Sequence, residues 1–170
     1  MITPDTLVEL RFRRMSLEDV EQVYAIDVLS FALPWSERSY RYEISDNQSS
    51  RNWVAEGADA QGRTQIVGMI VTWIILDEAH VATIAVHPDF RRLGIGRQLL
   101  AYALLDTAQN GAIQAYLEVR RSNLGAQDLY RKFGFEVNGV RPRYYLNNNE
   151  DALLMMLNPI NVETLRSFLR

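Results

Sequence analysis

One strand-to-helix junction carries the groups that an anion site needs. It reads Ile84-Ala85-Val86-His87-Pro88-Asp89-Phe90-Arg91-Arg92-Leu93-Gly94-Ile95-Gly96-Arg97. An apolar strand ends, a loop brings two arginines, and two glycines open an apolar helix. The first turn of a helix presents N–H groups without partners and a partial positive charge. Glycines let an anion approach these groups, and the arginines add formal charge. The segment therefore predicts a phosphate site built from backbone and arginine.

Other interpretations of this glycine pair are weaker or remain open. A dinucleotide fingerprint needs a third glycine at position 99, where the chain has Leu99. The Gly-Lys-Ser/Thr of a Walker loop is absent from the sequence. A plain tight turn with solvated arginines stays possible on the glycines alone, although the strand, loop and helix around them favour the phosphate site.

A second segment offers a carboxylate and a phenol. In the strand Ala115–Val119, a period of two places Tyr116 and Glu118 on the face opposite the apolar residues. A carboxylate in an apolar strand is costly to bury unless it is paired, hydrated or used in chemistry. Taken alone, Glu118 is better explained by a solvated face or an ion pair. Tyr130, which shares a helical face with apolar residues, is better explained as core.

Composition narrows the class of protein. The chain has 170 residues, 48% of them hydrophobic, and a net charge of −3. That charge argues against direct binding of nucleic acid, since binding through phosphates needs a basic excess. The absence of cysteine excludes disulfides and thiolate chemistry, and two histidines make a metal site improbable. We see no secretory signal and no membrane segment, so the sequence predicts a cytoplasmic protein.

The elements that position these residues follow from hydrophobic periodicity. The predicted strands are Val8–Arg13, Arg51–Glu56, Gln65–Leu76, Val81–Val86, Ala115–Val119, Glu136–Tyr145 and Ala152–Leu157. Helices are predicted from Leu17 to about Ser30, from Ser36 to about Asp46, and over Gly94–Gln109, Leu124–Lys132 and Val162–Phe168. Gly57–Arg63 is predicted as a turn. This pattern indicates one α/β domain.

Several segments carry a family resemblance. Arg91-Arg92-Leu93-Gly94-Ile95-Gly96 matches the Arg/Gln-x-x-Gly-x-Gly/Ala acyl-CoA loop of the GNAT acetyltransferase superfamily. The segments that resemble its N-terminal-acetylating branch are Leu117-Glu118-Val119-Arg120, Ser122-Asn123, Leu129-Tyr130 and Gly134-Phe135. Those that resemble the bacterial ribosomal-protein-alanine N-acetyltransferases are Pro34-Trp35-Ser36, Arg143-Tyr144-Tyr145 and Glu150-Asp151-Ala152. The resemblance covers about residues 8–157.

The resemblance implies an α/β (α+β) fold. Its mixed, mostly antiparallel twisted sheet would have helices on both faces, and its parallel central strands would splay apart. Residues 1–157 would form a single acetyltransferase domain. Residues 158–170 would form a C-terminal tail with a short helix. A monomer is expected.

The resemblance also implies roles for individual residues. Glu118 would be the general base and Tyr130 the acid that protonates the sulfur of CoA. Residues expected to bind acetyl-CoA, the cosubstrate, are Ile84, Ala85, Val86, Arg91, Arg92, Leu93, Gly94, Ile95, Gly96, Arg97, Asn123 and Tyr130. Walls for a substrate N-terminus would come from Leu33, Pro34, Trp35 and Tyr145, with packing under a loop as the alternative for the two aromatic residues. No metal is implied.

The chemistry of the nucleophile permits this interpretation without proving it. An α-amine has a pKa of about 7.7–8.0 and a lysine side chain one of about 10.4, a difference of roughly 3.5 kcal/mol in deprotonation. One carboxylate could therefore activate the α-amine of a protein, such as a ribosomal protein, more readily. Acetylation of a small amine or a lysine stays open, as does a binding module without activity.

Overall fold

In the computed structural model, residues 1–169 form one mixed sheet flanked by helices. The seven strands in this range are β1 (Leu7–Arg14), β2 (Ser50–Asp59), β3 (Thr64–Ile75), β4 (Glu78–Val86), β5 (Gln114–Arg120), β6 (Glu136–Tyr145) and β7 (Glu150–Leu157). The five α-helices are α1 (Val20–Ser30), α2 (Glu37–Ser45), α3 (Ile95–Gln109), α4 (Leu124–Lys132) and α5 (Val162–Ser167). Short 3-10 segments lie at Pro4–Thr6, Leu17–Asp19 and Pro88–Phe90.

The sheet has the order β1-β2-β3-β4-β5-β7-β6. Neighbours pair antiparallel, except β4 and β5, the one parallel pair among the described strands. The predicted mixed, mostly antiparallel sheet is confirmed. The prediction of a turn over Gly57–Arg63 is wrong in its first part, because β2 runs on to Asp59. Residues 57–59 pair with β1, and residues 57 and 58 also pair with β3, so these two form ladder hydrogen bonds on both edges.

The two central strands separate part of the way along. Pairing between β4 and β5 runs from Glu78 opposite Gln114 to Val81 opposite Leu117. Beyond this point residues 83–86 stay paired with β3, and residues 118–120 stay paired with β7. Among residues 1–169 no ladder joins β4 to β5 past Val81, which confirms the predicted splay. The sheet therefore contains a cleft between two strand edges, which we call the central gap.

Helices cover both faces of the sheet, as predicted. Val23 and Ile26 of α1 and Tyr40 of α2 pack on one face in a cluster with Met69 and Val71. The opposite face packs against buried residues of α3, α4 and α5, including Leu99, Leu104, Tyr130 and Leu165, and against Phe133, which directly follows α4. The phenyl ring of Phe168, just after α5, stacks on Phe133 with centroids 4.2 Å apart. The segment after Leu157 thus contributes to the same core.

A glycine in β3 fixes the position of α3. A Cβ at Gly68 would lie 2.9 Å from Leu99 Cδ1 and 3.1 Å from Ile95 Cγ2, so both side chains of α3 would have to shift. The first turns of α3 can therefore pack directly on the sheet beside the end of β4. No helix within residues 1–169 is both long and apolar enough to span a bilayer.

Candidate active site

The loop between β4 and α3 adopts the conformation that an anion site needs. Arg92 and Gly94 both have left-handed backbone conformations, with φ of 66° and 79°. Gly94 is the N-cap of α3, and its carbonyl accepts the N–H of Gln98 at 3.2 Å. The N–H groups of Ile95, Gly96 and Arg97 precede this first intrahelical bond and can bind an anion.

The three loop arginines have different surroundings. Arg91 Nε donates to the carbonyl oxygen of Val86 at 3.2 Å, and its Nη2 lies 3.5 Å from Ser30 Oγ, so this side chain ties the loop to β4 and α1. Arg92 is exposed. Arg97 has a buried Nε without a hydrogen-bond partner in the described part of the chain. A buried unpaired guanidinium nitrogen is costly, and an oxyanion at the helix start would satisfy it.

Gly96 lies between β4 and α4. A Cβ built on it would be 3.6 Å from Val86 Cγ2 and 3.8 Å from Leu129 Cδ2, both ordinary contacts. The glycine therefore faces a narrow slot whose walls come from these two elements. Tyr130 follows Leu129 directly in α4.

Glu118 lies on the other face of β5, half-exposed among groups of β6. Its Oε1 is 3.4 Å from Arg141 Nε, and its side chain is 30% exposed. The pKa of Tyr144 is raised, chiefly by its interaction with this carboxylate and by burial. Arg141 was not predicted from the sequence, because the pairing of β6 with β7 is what brings it over this face.

Tyr130 is buried on the α3 side of the sheet, with 5% exposure and an edge contact to Phe135. Burial raises the pKa of Tyr130, and the nearby phenol of Tyr145 adds to the rise. Burial likewise raises the pKa of Tyr145 to about 12, while the guanidinium of Arg120, 3.7 Å above its ring, opposes this. The Glu118 charge also acts on Tyr145. The Tyr145 phenol is therefore coupled electrostatically to both Glu118 and Tyr130.

Asn123 has a structural role besides the predicted contact with acetyl-CoA. It is the N-cap of α4, and its Oδ1 accepts the N–H of Ala126 at 3.2 Å. The side chain thereby fixes the start of the helix that carries Tyr130. In the described residues, no group of three His, Asp or Glu side chains could hold a metal ion.

The loop between α1 and α2 forms a wall on the Glu118 side of the sheet. Leu33 and Pro34 are exposed, whereas Trp35 is half-buried and stacks on Trp73 with centroids 6.3 Å apart. The backbone N–H of Trp35 donates to Asp27 Oδ2 at 2.7 Å. Asp27, 1% exposed, thus anchors the loop, and burial raises its pKa. The sequence signal for this role is an acidic residue, Asp27, directly after the apolar Ile26 in a predicted helix.

A groove of about 570 Å³ opens beside this loop. We call it the tryptophan groove. It is lined by Pro34, Trp35, Ser36, Arg38, Ser39, Tyr42, Glu43 and Trp73. Tyr145 lies outside this set, at the end of β6. The predicted substrate residues therefore divide between the loop before α2 and the end of β6.

The chain is similar to known proteins in both sequence and fold. Residues 20–135 match the model of the acetyltransferase (GNAT) family. The chain is 35% identical over 150 residues to the ribosomal protein bS18-alanine N-acetyltransferase of Salmonella typhimurium, covering 87% of this chain and 96% of that protein. For the Escherichia coli K12 protein of the same name, identity is 34% over 146 residues, or 85% and 93% of the two chains. The crystal structure of the Escherichia coli ribosomal-protein-S18-alanine N-acetyltransferase superposes with a TM-score of 0.78 at 30% identity, covering 90% and 95%.

Proposed function

The chain belongs to the acetyltransferase (GNAT) family, and we propose that it transfers the acetyl group of acetyl-CoA to the N-terminal α-amine of a protein. The observation that carries this proposal is the central gap. Glu118 lies at one face of the sheet and Tyr130 at the other, and the gap between β4 and β5 connects the two faces. A thioester entering from the α3 side would meet an amine arriving from the α1 side.

The residues of the anion site fit acetyl-CoA. The free N–H groups of α3 and the unpaired Nε of Arg97 suit its diphosphate. The pantetheine arm would then follow the slot beside Gly96, and the open edge of Ile84, Ala85 and Val86 offers backbone groups to its amides.

The residues named below and the two substrates supply every group that the proposed reaction needs. The amine nitrogen attacks the thioester carbonyl carbon, and a backbone N–H at Val86 stabilises the oxyanion. Glu118 accepts the proton that the amine loses, directly or through water. The C–S bond breaks, Tyr130 gives its proton to the sulfur, and the phenolate regains a proton from solvent. The products are an N-acetylated protein and CoA.

Tyr130→Phe should lower kcat about 10- to 100-fold, because the departing thiolate loses its hydrogen-bond donor. Burial raises the pKa of Tyr130, so the phenol stays protonated at neutral pH, as a donor must. The Kd for acetyl-CoA should change less than threefold. Steady-state kinetics and calorimetric titration measure the two quantities. Tyr102→Phe, a phenol packed on Phe12 at the far side of α3, is the matched control and should leave kcat unchanged. Wild-type kcat in Tyr130→Phe would contradict this role.

Two observations favour a protein over a small amine as acceptor. The Glu118 face leads into an open groove rather than a closed acidic pocket, and the relatives described above are named for acetylating a ribosomal protein. We propose an N-terminal alanine of such a protein as the target, which places the activity in the cytoplasm.

The test incubates the enzyme with isotopic acetyl-CoA and peptides that differ only in their first residue, each also supplied with a blocked N-terminus and one lysine. Mass spectrometry should find the label on free α-amines, with alanine preferred. Label on lysine of the blocked peptides alone, or on spermidine alone, would overturn the substrate. Tight binding of acetyl-CoA without transfer to any amine would indicate a binding module instead.

A further inference from the structure

The tryptophan groove contains a buried carboxylate that acetyl transfer does not use. Glu43 is 7% exposed, and its Oε2 accepts hydrogen bonds from Trp73 Nε1 and Asn47 Nδ2, both at 2.9 Å. These bonds leave Oε1 for a further partner. Arg41, on the same helix, pairs with Glu37 instead, at 3.8 Å. In the described part of the chain no lysine or arginine neutralises Glu43.

The surroundings of Glu43 suit a cation from outside the chain. Trp35 and Trp73 stack on each other beside the carboxylate, and indole faces attract cations, most strongly where water is excluded. Arg38 also lines the groove, but it is exposed, so solvent screens its repulsion. Glu43 is buried, so its attraction is screened much less. The groove is therefore complementary to a positive side chain.

The strand register fixes the distance from this groove to the proposed reaction centre. Trp73 pairs with His80, and His80 pairs with Tyr116, on which its ring stacks at 5.5 Å. Glu118 lies two residues further along β5. With strands about 4.8 Å apart and a rise of about 3.3 Å per residue, Trp73 and Glu118 are separated by roughly 12 Å. An extended peptide covers that distance in three or four residues.

We propose that the tryptophan groove binds a lysine or arginine side chain at the third to fifth residue of the protein substrate, with Glu43 as its counter-ion. This inference rests on the proposed function, because the α-amine at Glu118 sets the register. Glu43 would then be a specificity-determining residue. It would change the affinity for the protein substrate and would not change the rate of acetyl transfer.

The test compares N-terminal alanine peptides that carry arginine, glutamine or glutamate at position four. Wild type should acetylate the arginine peptide with a KM about 10-fold lower than that of the glutamine peptide, at equal kcat, and glutamate should raise KM further. Glu43→Gln keeps acceptors for Trp73 and Asn47 and should abolish these differences. Glu37→Gln, an exposed carboxylate on the same helix, is the matched control and should preserve them.

A binding arm separates this inference from the proposed function. The same peptides with acetylated N-termini cannot react, and quenching of tryptophan fluorescence reports their binding. Arginine should bind about 10-fold more tightly than glutamine in wild type and equally in Glu43→Gln. Equal binding in wild type, or a preference that survives in Glu43→Gln, would overturn the inference even if α-amines are acetylated. Tighter binding of the arginine peptide in wild type would support the inference even if the enzyme proved to acetylate a group other than the α-amine.

Discussion

Glu118→Gln should lower kcat by a factor of 10² to 10³ at pH 7, the range of effects expected when a general base is removed. Glutamine keeps the shape of the side chain, but it cannot take a proton from the amine. The Kd for acetyl-CoA should stay within about twofold of wild type, because Glu118 lies on the face of the sheet opposite the anion site. Stopped assays at saturating peptide measure kcat, and calorimetry measures the Kd for acetyl-CoA.

The pH dependence of this variant adds an independent readout. At pH 7 only about a tenth of an α-amine with a pKa near 8 is neutral, and at pH 9 about nine-tenths is. The need for a base therefore shrinks as the pH rises, so the defect of Glu118→Gln should fall by up to about tenfold between these values. Glu136→Gln, on the exposed edge strand, is the control. A defect that is the same at both pH values, or wild-type kcat at pH 7, would exclude Glu118 as the base.

Gly96→Val should weaken acetyl-CoA binding by at least about 100-fold. A Cβ at this position points between Val86 and Leu129, into the slot beside the anion site through which we propose that the coenzyme passes. The two methyl groups of valine would fill that slot, where the coenzyme must pass close to the backbone. Equilibrium dialysis with radiolabelled acetyl-CoA measures the effect.

Gly96→Ala is the matched control for this variant. Its Cβ would make ordinary contacts of 3.6 and 3.8 Å, so binding should remain within about threefold of wild type. Thermal unfolding should show that both variants are folded, and alanine should add up to about 1 kcal/mol of helix stability. Wild-type affinity in a folded Gly96→Val would show that the coenzyme does not use this slot.

Much of the fold could be predicted because hydrophobic period and turn residues are local properties. The helix after Ser36 begins where predicted, with Ser36 Oγ accepting the N–H of Ser39. The alternation that placed Glu118 opposite Leu117 and Val119 agrees with their burial. The strand ends were predicted less well, since Ala58 and Asp59 become strand only through pairing with other strands.

The candidate site could be predicted from the sequence only where its residues lie in one continuous segment. The glycines at the start of α3 and the order of residues from Glu118 to Tyr130 belong to continuous stretches. Arg141 reaches Glu118 from β6 across β7, which lies between the two strands. Glu43 faces Trp73 from a helix thirty residues earlier in the chain. Such contacts between distant parts of the chain depend on tertiary packing, so the hydrophobic periodicity of a single segment does not predict them.

The central gap has a consequence for the size of the acceptor. Under the proposed function, donor and acceptor come from opposite sides of the sheet, so that a large folded polypeptide would not share an entrance with the nucleotide. Only its first few residues must thread into the opening, while the bulk of the partner rests outside. The spent coenzyme can then leave through the back without disturbing the modified chain.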